Sequence, residues 1–424
     1  MIDIRSLRED PDYLRQALRT RNVAEDVLDE ILHLDESLRA ELTRLNQLKA
    51  ERNKVSAEVA RMKAAGQNTE VTELLERARE ISGLVKEGDA KIRQVEEHLK
   101  SRLLHIPNIP HSSVPRGESE SDNVVRHTWG NPPTFDFDPL PHWELGPRSE
   151  MMDFERAAKL SGARFSILRG LLSTLSRALV NFMLELHVRE HAYTEVSLPH
   201  LVKRETMLAS GQLPKFEEEL YNTRPDDLFL IPTAEVPLIA QHSDEILESS
   251  RLPLKYVSYT PCYRREAGSY GKDVRGMIRV HQFDKVELVW FTKPEESEAA
   301  LERLTSDAEE VLRRLELPYR IVELCTADLG FASSRTYDLE VWLPSYGDYK
   351  EISSCSNTTD FQARRANIRY RDSNNKPAFV HALNGSGVAV GRALVAIVEN
   401  FQREDGTIRI PDALIPFVGK EVVG

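Results

Sequence analysis

Cysteine is scarce. The 424 residues hold three, Cys262, Cys325 and Cys355, far apart and without a Cys-x-x-Cys pair. That argues against a disulfide framework and against a cysteine zinc site, and it fits a reducing, cytoplasmic setting. Long apolar runs are also missing; none approaches the ~20 residues that a membrane helix needs. The stretch Met1 to Asp10 alternates charge and has no apolar core, so no signal peptide is expected. There is no Gly-x-x-x-x-Gly-Lys-Ser/Thr and no Gly-x-Gly-x-x-Gly leading from a strand into a helix. His-Glu-x-x-His and Gly-x-Ser-x-Gly are absent too, so P-loop, dinucleotide, zincin and serine-hydrolase sites are unsupported. The twelve histidines are scattered. The formal net charge of −12 argues weakly against a nucleic-acid protein, unless basic residues cluster on one element.

What is there divides into a helical part and a strand-rich part. With 41% hydrophobic and 29% charged residues, the chain can bury a sizeable core and form two or three domains. Asp10-Pro11 opens a short helix running to Leu18. A long helical pattern starts near Glu25, with Ile31, Leu34, Leu38, Leu45, Leu48, Val55, Val59 and Met62 at heptad steps. Two seam positions deviate: Glu41 falls where Leu42 could substitute, and Arg52 is charged. Residues 64–68 read as a helix stop and turn. A second heptad run follows, Val71, Leu74, Ala78, Ile81, Val85, Ile92, Val95 and Leu99, with Gly88 as a weak point. Gly66 lies midway between two equal runs, which favours an antiparallel hairpin over a dimerising coiled coil. Helices of roughly 35 residues would give an arm of about 50 Å. Its outer faces mix Lys and Arg with many Glu, which reads either as a solvated face or as a nucleic-acid surface.

From Leu104 to Pro147 the chain is rich in Pro, Ser and Gly and has no sustained period, as in a linker. Beyond it lie an amphipathic helix (Leu168 to His187), a strand stopped by Pro199, and a strand from Leu228 to Glu235. Further strands cover 320–325, 334–343 and 349–356, and a Gly-rich stretch, 379–392, precedes an apolar helix. Strands in runs, not alternating with helices, predict an antiparallel α+β sheet. Residues 261–287 read as strand, loop and strand, broken by Gly268, Gly271 and Gly276 and resuming at Met277, Ile278 and Val280. Arg264, Arg265, Arg275 and Arg279 crowd this hairpin, which suits an anion because guanidinium forks match phosphate geometry. Residues 384–387, Asn-Gly-Ser-Gly, are expected at a helix start that could hold an anion. Glu351, Ser353 and Ser354 put sparse oxygen ligands on one strand, as a phosphate-bound Mg²⁺ uses.

Taken together, these pieces resemble a bacterial-type seryl-tRNA synthetase, a class II aminoacyl-tRNA synthetase. Pro199 after the long helix, Tyr263-Arg264-Arg265-Glu266 through Glu287, and Gly387 to Arg392 resemble its three motifs. Thr233-Ala234-Glu235 resembles the segment typical of the serine enzyme, and the heptad hairpin resembles its tRNA-binding arm. The likeness covers essentially the whole chain. It implies an N-terminal tRNA-binding domain over residues 1–108, with its coiled-coil arm at about 25–104, and an antiparallel-sheet catalytic domain over 109–424.

The resemblance also implies site residues. Arg264 and Arg392 are the expected catalytic pair, Arg264 on the α-phosphate and the serine carboxylate, Arg392 over the adenine and toward the γ-phosphate. Glu266 is expected to read the adenine amino group. Phe283, which alone reads as a core strand residue, becomes the adenine platform. Arg265, Arg279, Val280, Ile352 and Ser353 complete the expected ATP site, and Glu351 and Ser354 the Mg²⁺ site. Thr233, Ala234, Glu235, Arg264, Glu287 and Ser386 are expected around serine. Glu235 with Thr233 is read as facing the ammonium and Glu287 with Ser386 the hydroxyl, the reverse split of the two glutamates staying open. The implied partners are tRNA(Ser), tRNA(Sec) where it exists, and a second copy of the chain; no zinc and no membrane are expected. Ala192 stands where the family usually has glycine and is expected to stiffen its loop. Two rival readings fit less well. An amino acid:carrier-protein ligase lacks the long arm, and a coiled-coil adaptor has no use for Arg264, Glu266, Glu287, Glu351 and Arg392 together.

Overall fold

The computed structural model describes residues 1–66, 68–267 and 275–424, the side chains of 68–70 apart. Gly268 and Gly271, expected as breaks in the arginine-rich hairpin, lie outside the described residues. The chain divides into two compact units, Ile2–Ile106 and Pro107–Gly424, the latter also taking Met1.

In the first unit, two short helices, Ile4–Glu9 and Pro11–Arg19, precede a long pair. Asp3 and Asp10 cap them by accepting from the amides of Arg5 and Tyr13, and Pro11 sits where no amide partner is needed. Only the second had been legible. The long helices are α1, Glu25–Ala64, and α2, Asn68–Leu104. Leu45, Val55, Val59, Val71, Ile81, Val85 and Ile92 form their shared apolar seam. Ion pairs run in opposite order along the two helices, so the hairpin is antiparallel: Glu30 with Arg102 (2.7 Å), Glu41 with Lys91 (2.5 Å), Lys49 with Asp89 (3.0 Å) and Glu51 with Arg77 (2.6 Å). Such surface pairs add little stability each but oppose a slipped register. One expectation is corrected here. Leu42 is 37% exposed while Glu41 turns toward α2, so the charged residue, not its apolar neighbour, takes the seam. Gly88 is a point of close approach, since a Cβ there would meet Leu45 Cδ1 at 3.1 Å.

The second unit is built on an eight-stranded sheet. Its strands are β1 (Val124–Trp129), β2 (Thr194–Glu195), β3 (Leu254–Tyr263), β4 (Gln282–Thr292), β5 (Tyr319–Glu323), β6 (Arg335–Leu343), β7 (Asp348–Asn357) and β8 (His381–Ala389). They lie in the order β1-β5-β6-β7-β8-β4-β3-β2. Every neighbouring pair is antiparallel except β2 with β3. The α+β expectation therefore holds. Side chains alternate along β4. Val286, Leu288 and Trp290 join a core with Leu301, Leu304 and Ala308 of α4 (Ser297–Arg314), and α3 (Gly170–Arg189) and α5 (Val390–Asn400) contribute to the same core. Phe283, Lys285 and Glu287 take the other face, where Val289 and Phe291 pack with Ala234, Leu238 and Ile239.

Several predicted strands shrink. Only Phe229–Leu230 of the stretch 228–235 is strand, and Glu235 opens a short helix, Glu235–Ala240. The strand before Pro199 is two residues long. Met277 to Val280 do not resume a strand; β4 begins at Gln282. Residues 384–387 lie inside β8, not at a helix start, and α5 begins at Val390. Apolar alternation marks burial there, but hydrogen-bonded partners decide where a strand ends. Ala192, after α3, has a φ of +57°, a conformation that costs an L side chain about 1–2 kcal/mol. Glycine's greater freedom when unfolded offsets part of that. Ala192→Gly is therefore expected to stabilise the fold by up to about 1 kcal/mol, read as a higher midpoint in urea.

Candidate active site

Gln282 to Lys285 of β4 line a cleft of about 810 Å³, and a second cleft of about 640 Å³ adjoins it. Arg264, Glu266 and Arg279 line both. The larger also takes Val280, Phe283, Lys285, Glu351, Ile352, Ser386 and Arg392, and the smaller takes Glu235 and Asn384. Thr233, Ala234 and Glu287 are buried and form part of no cleft wall, whereas Arg265 is exposed and outside both.

Local structure explains the placements. β3 ends at Tyr263, so Arg264 to Glu266 leave the sheet as irregular chain, anchored by Arg264 N–H on the His281 carbonyl (2.9 Å) and Arg265 N–H on the Glu219 carbonyl (2.8 Å). Glu266 takes a positive φ of 50°, and its Oε2 accepts from Arg279 Nη1 at 3.0 Å. The Arg264 guanidinium lies over the Phe283 ring, 5.2 Å from its centroid, held by the pull of a cation on an aromatic face. Arg275 is exposed and is not part of either cleft wall. Thr233 Oγ1 accepts the amide of Glu235 at 3.2 Å. The Glu235 carboxylate is gripped by Gln362 Nε2 (2.6 Å) and Asn384 Nδ2 (3.3 Å).

Two β-bulges set the remaining residues. Glu351 pairs with Glu340 and Ser354 with Asp338, with a register shift between them. Glu340 and Asp338 share a face of β6, so the bulge brings Glu351 and Ser354 to one side although three positions separate them. A regular strand would place them on opposite faces. In β8 the register shifts between Ser386 and Val388, and Ser386 stands directly opposite Glu287 on β4. Ser353 Oγ donates to the Ser386 carbonyl at 2.6 Å, so its hydroxyl fixes that strand.

The electrostatics follow from burial. Glu287 is 1% exposed, and its only close cation is Lys285, Nζ to Oε2 2.5 Å, among the described residues. Burial pushes the Glu287 carboxyl up to about 7; Lys285 pulls it back and Glu235 pushes it further. Burial also raises Glu235, against the attraction of Lys285. Near the cleft wall, burial and then the charge of Glu351 hold Asp338 well above the usual carboxylate range. Desolvation opposes ionisation of Glu351, whose side chain is half-exposed, and the guanidiniums of Arg392 and Arg264 outweigh it, so its carboxyl is lowered. Arg392 Nη1 stands 3.5 Å from Glu351 Oε2. Asp338 Oδ1 is buried with no hydrogen-bond partner among the described residues. An unpartnered carboxylate oxygen beside Glu351 and Ser354 is an oxygen donor set that fits Mg²⁺. No group of three or more His, Cys, Asp or Glu side chains is arranged as a metal site among the described residues.

Lys285, Asp338 and Gln362 carry no expected role in the sequence, and Asn384, expected near an anion, bonds the Glu235 carboxylate instead. Lys285 was legible in principle, two positions before Glu287 on one strand face. Asp338 and Gln362 reach the site only through pairing and packing, so no local signal marks them.

An antiparallel sheet whose face combines an Arg–Glu hairpin with buried carboxylates and a Gly-rich strand leading to Arg392 defines a class II tRNA synthetase core. The model of the "tRNA synthetase class II core domain (G, H, P, S and T)" matches residues 215–401, and that of the "Seryl-tRNA synthetase N-terminal domain" matches residues 1–110. The serine–tRNA ligase of Kosmotoga olearia is 65% identical over 424 residues, all of both chains. The structure of seryl-tRNA synthetase from Pyrococcus horikoshii complexed with ATP superposes with a TM-score of 0.93 at 40% identity, covering 100% of this chain and 99% of that one. The cytoplasmic serine–tRNA ligase of Naegleria fowleri, in complex with AMP, gives 0.86 at 30% identity, covering 98% and 95%. The chain belongs to the seryl-tRNA synthetases.

The raised carboxyl of Glu287 has a pH signature. Below about 4.5 the group is neutral folded or unfolded; above about 7 it is charged in both states and its burial is felt in full. The folded state binds the extra proton between these limits, so stability falls as pH rises through them, by about 3 kcal/mol for this group. Thermal unfolding of Glu287→Gln across pH 4 to 8 is expected to lose that decline.

Proposed function

We propose that this chain, as an ATP-dependent serine–tRNA ligase, carries out both steps of aminoacylation over the polar face of β4. The observation that carries the reading is a pair of buried carboxylates, Glu235 in the wall of the smaller cleft and Glu287 held by Lys285 behind the wall of the larger. A zwitterion with a hydroxyl needs acceptors for its ammonium and its hydroxyl and a cation for its carboxylate. In this reading Glu235, oriented by Gln362 and Asn384, takes the ammonium with Thr233 and Ala234. Glu287 and Ser386 take the hydroxyl, and Arg264 takes the carboxylate.

In the first step the serine carboxylate oxygen attacks the α-phosphorus of ATP and pyrophosphate leaves. Arg264 meets the charge that builds on the α-phosphate, and Arg279 and Arg392 hold the departing phosphates. Phe283 and Arg392 enclose the adenine and Glu266 accepts from its amino group, with Val280 and the Ile352–Ser353 backbone completing the pocket and Arg265 at its rim. Glu351 and Ser354, with Asp338 added, would hold Mg²⁺, which neutralises phosphate charge when bound. In the second step the terminal ribose hydroxyl of the tRNA attacks the acyl carbon and AMP leaves. Positioning suffices, and no side-chain nucleophile is required. The finer reading includes tRNA(Ser), with tRNA(Sec) where the source has one. It also includes a homodimer in the cytoplasm, and division at residue 108 into a tRNA-binding and a catalytic domain, with the α1–α2 hairpin reaching the tRNA away from its acceptor end.

Serine-dependent ATP–pyrophosphate exchange, followed by transfer to tRNA and not to a carrier protein, tests the whole. Sites built to bond a hydroxyl reject its absence by ~10⁴-fold. Glu287→Ala is therefore expected to lose most discrimination between serine and alanine in the exchange assay. Unchanged discrimination would move hydroxyl recognition elsewhere. Deleting residues 25–104 is expected to leave exchange largely intact and abolish tRNA charging; retained charging would sink the role given to the arm.

A further inference from the structure

Behind the larger cleft, His142 and Glu399 form a pair with no exposed side-chain surface. Buried polar groups of this kind persist where their hydrogen-bonding capacity is met. Glu399, in the last turn of α5, accepts from His142 N–H (3.1 Å), His142 Nδ1 (2.6 Å), Ser345 N–H (3.0 Å) and Ser345 Oγ (2.9 Å). Four donors on one carboxyl group require the carboxylate, so the His142 proton sits on Nδ1. The other ring nitrogen is then an acceptor, and Nε2 takes the amide proton of Met277 at 3.0 Å. The imidazole is a neutral bridge from the end of α5 to the chain that returns toward β4.

That chain carries Arg279 two residues beyond the bridge, and its backbone meets Arg392 of α5. Ile278 offers its carbonyl to Arg392 Nε at 3.3 Å, and Arg279 pairs with Glu266 at 3.0 Å. Gly276 sits directly against the ring: a Cβ there would fall 1.9 Å from His142 Nε2, and its φ is +73°. The glycine lets the backbone close on the imidazole. No regular ladder holds residues 277–280, so the amide of Met277 and the carbonyl of Ile278 are fixed from outside the sheet.

We propose that His142 is a positioning residue for ATP: by holding the Met277 amide it sets the height at which Arg279 and Arg392 meet the phosphates. The proposal rests on the reading of this cleft as an ATP site. In that reading serine is held by Glu235, Glu287 and Arg264, none of which His142 bonds, so the bridge is expected to act on ATP and not on serine.

Two near-isosteric variants separate this role from plain structural support. The amide of His142→Gln reaches the place of Nε2 and can still accept from Met277. That of His142→Asn reaches only the place of Nδ1, leaving the Met277 amide unpartnered. In serine-dependent pyrophosphate exchange, His142→Asn is expected to raise KM for ATP about tenfold with KM for serine within twofold, the cost of one unmet buried donor. His142→Gln is expected to stay within about threefold of wild type for both. Equal rises in both KM values that track a fall in Tm, an ATP KM unmoved by His142→Asn, or a larger defect with Gln than with Asn each overturn it. Should neither variant fold, Ser345→Ala loosens Glu399 without touching the ring and is expected to raise KM for ATP about twofold; no rise there also overturns it. A wild-type protein that performs no exchange refutes the functional reading itself, whereas normal wild-type exchange with any of the overturning patterns refutes this proposal alone.

Discussion

The alternation of side chains along β4 is the constraint on which the rest of this molecule depends. One face of the strand must be apolar, because Val286, Leu288 and Trp290 close the core under α4. The other then carries Phe283, Lys285 and Glu287 in a row without any further instruction, one pleat apart. A single-residue slip of the β3–β4 or β4–β8 register would put the charges in the core and the core in the cleft. Antiparallel neighbours on both sides make such a slip costly, so the fold protects the site by protecting itself.

Burial gives those side chains their chemistry. In water Glu235 and Glu287 would be ordinary carboxylates. Beneath the cleft each is pushed toward its neutral form, with Lys285 pulling both back. A site held in that balance responds strongly to an arriving ammonium or hydroxyl, since the ligand supplies what the protein withholds. Asp338 and Glu351 divide their charge in the opposite way. Burial and the charge of Glu351 raise the Asp338 carboxyl, and Arg392 and Arg264 favour the charged form of Glu351. Like charges brought together in a low-dielectric setting separate their affinities for protons, and here the arginines decide which group yields.

The irregular segments carry as much of the site as the strands do. Arg264 to Glu266 and Met277 to Arg279 lie outside the ladder, and their backbones are fixed by single hydrogen bonds from His281, Glu219, His142 and Arg392. Loops placed by a rigid scaffold are where binding groups are commonly found. The two bulges, in β7 and β8, apply the same device within the sheet: each inserts one residue and so turns a neighbour toward the cleft.

The sequence by itself determined the heptad hairpin, the antiparallel character of the sheet and the arginine-rich return. These are repeating or strongly charged patterns, which survive without knowledge of partners. Arg264, Glu266, Phe283, Glu287, Glu351 and Arg392 were singled out through motif resemblance. Only the tertiary structure decided that residues 384–387 belong inside a strand, that Met277 to Val280 belong outside one, and that Glu41 turns inward while Leu42 turns out. It alone placed Asp338 beside Ser354 and His142 against Gly276. Local pattern reports how each residue prefers to be buried. Which partners meet there is fixed by contacts between distant segments, 135 residues apart for His142 with Met277 and 257 for His142 with Glu399, and no local period encodes them.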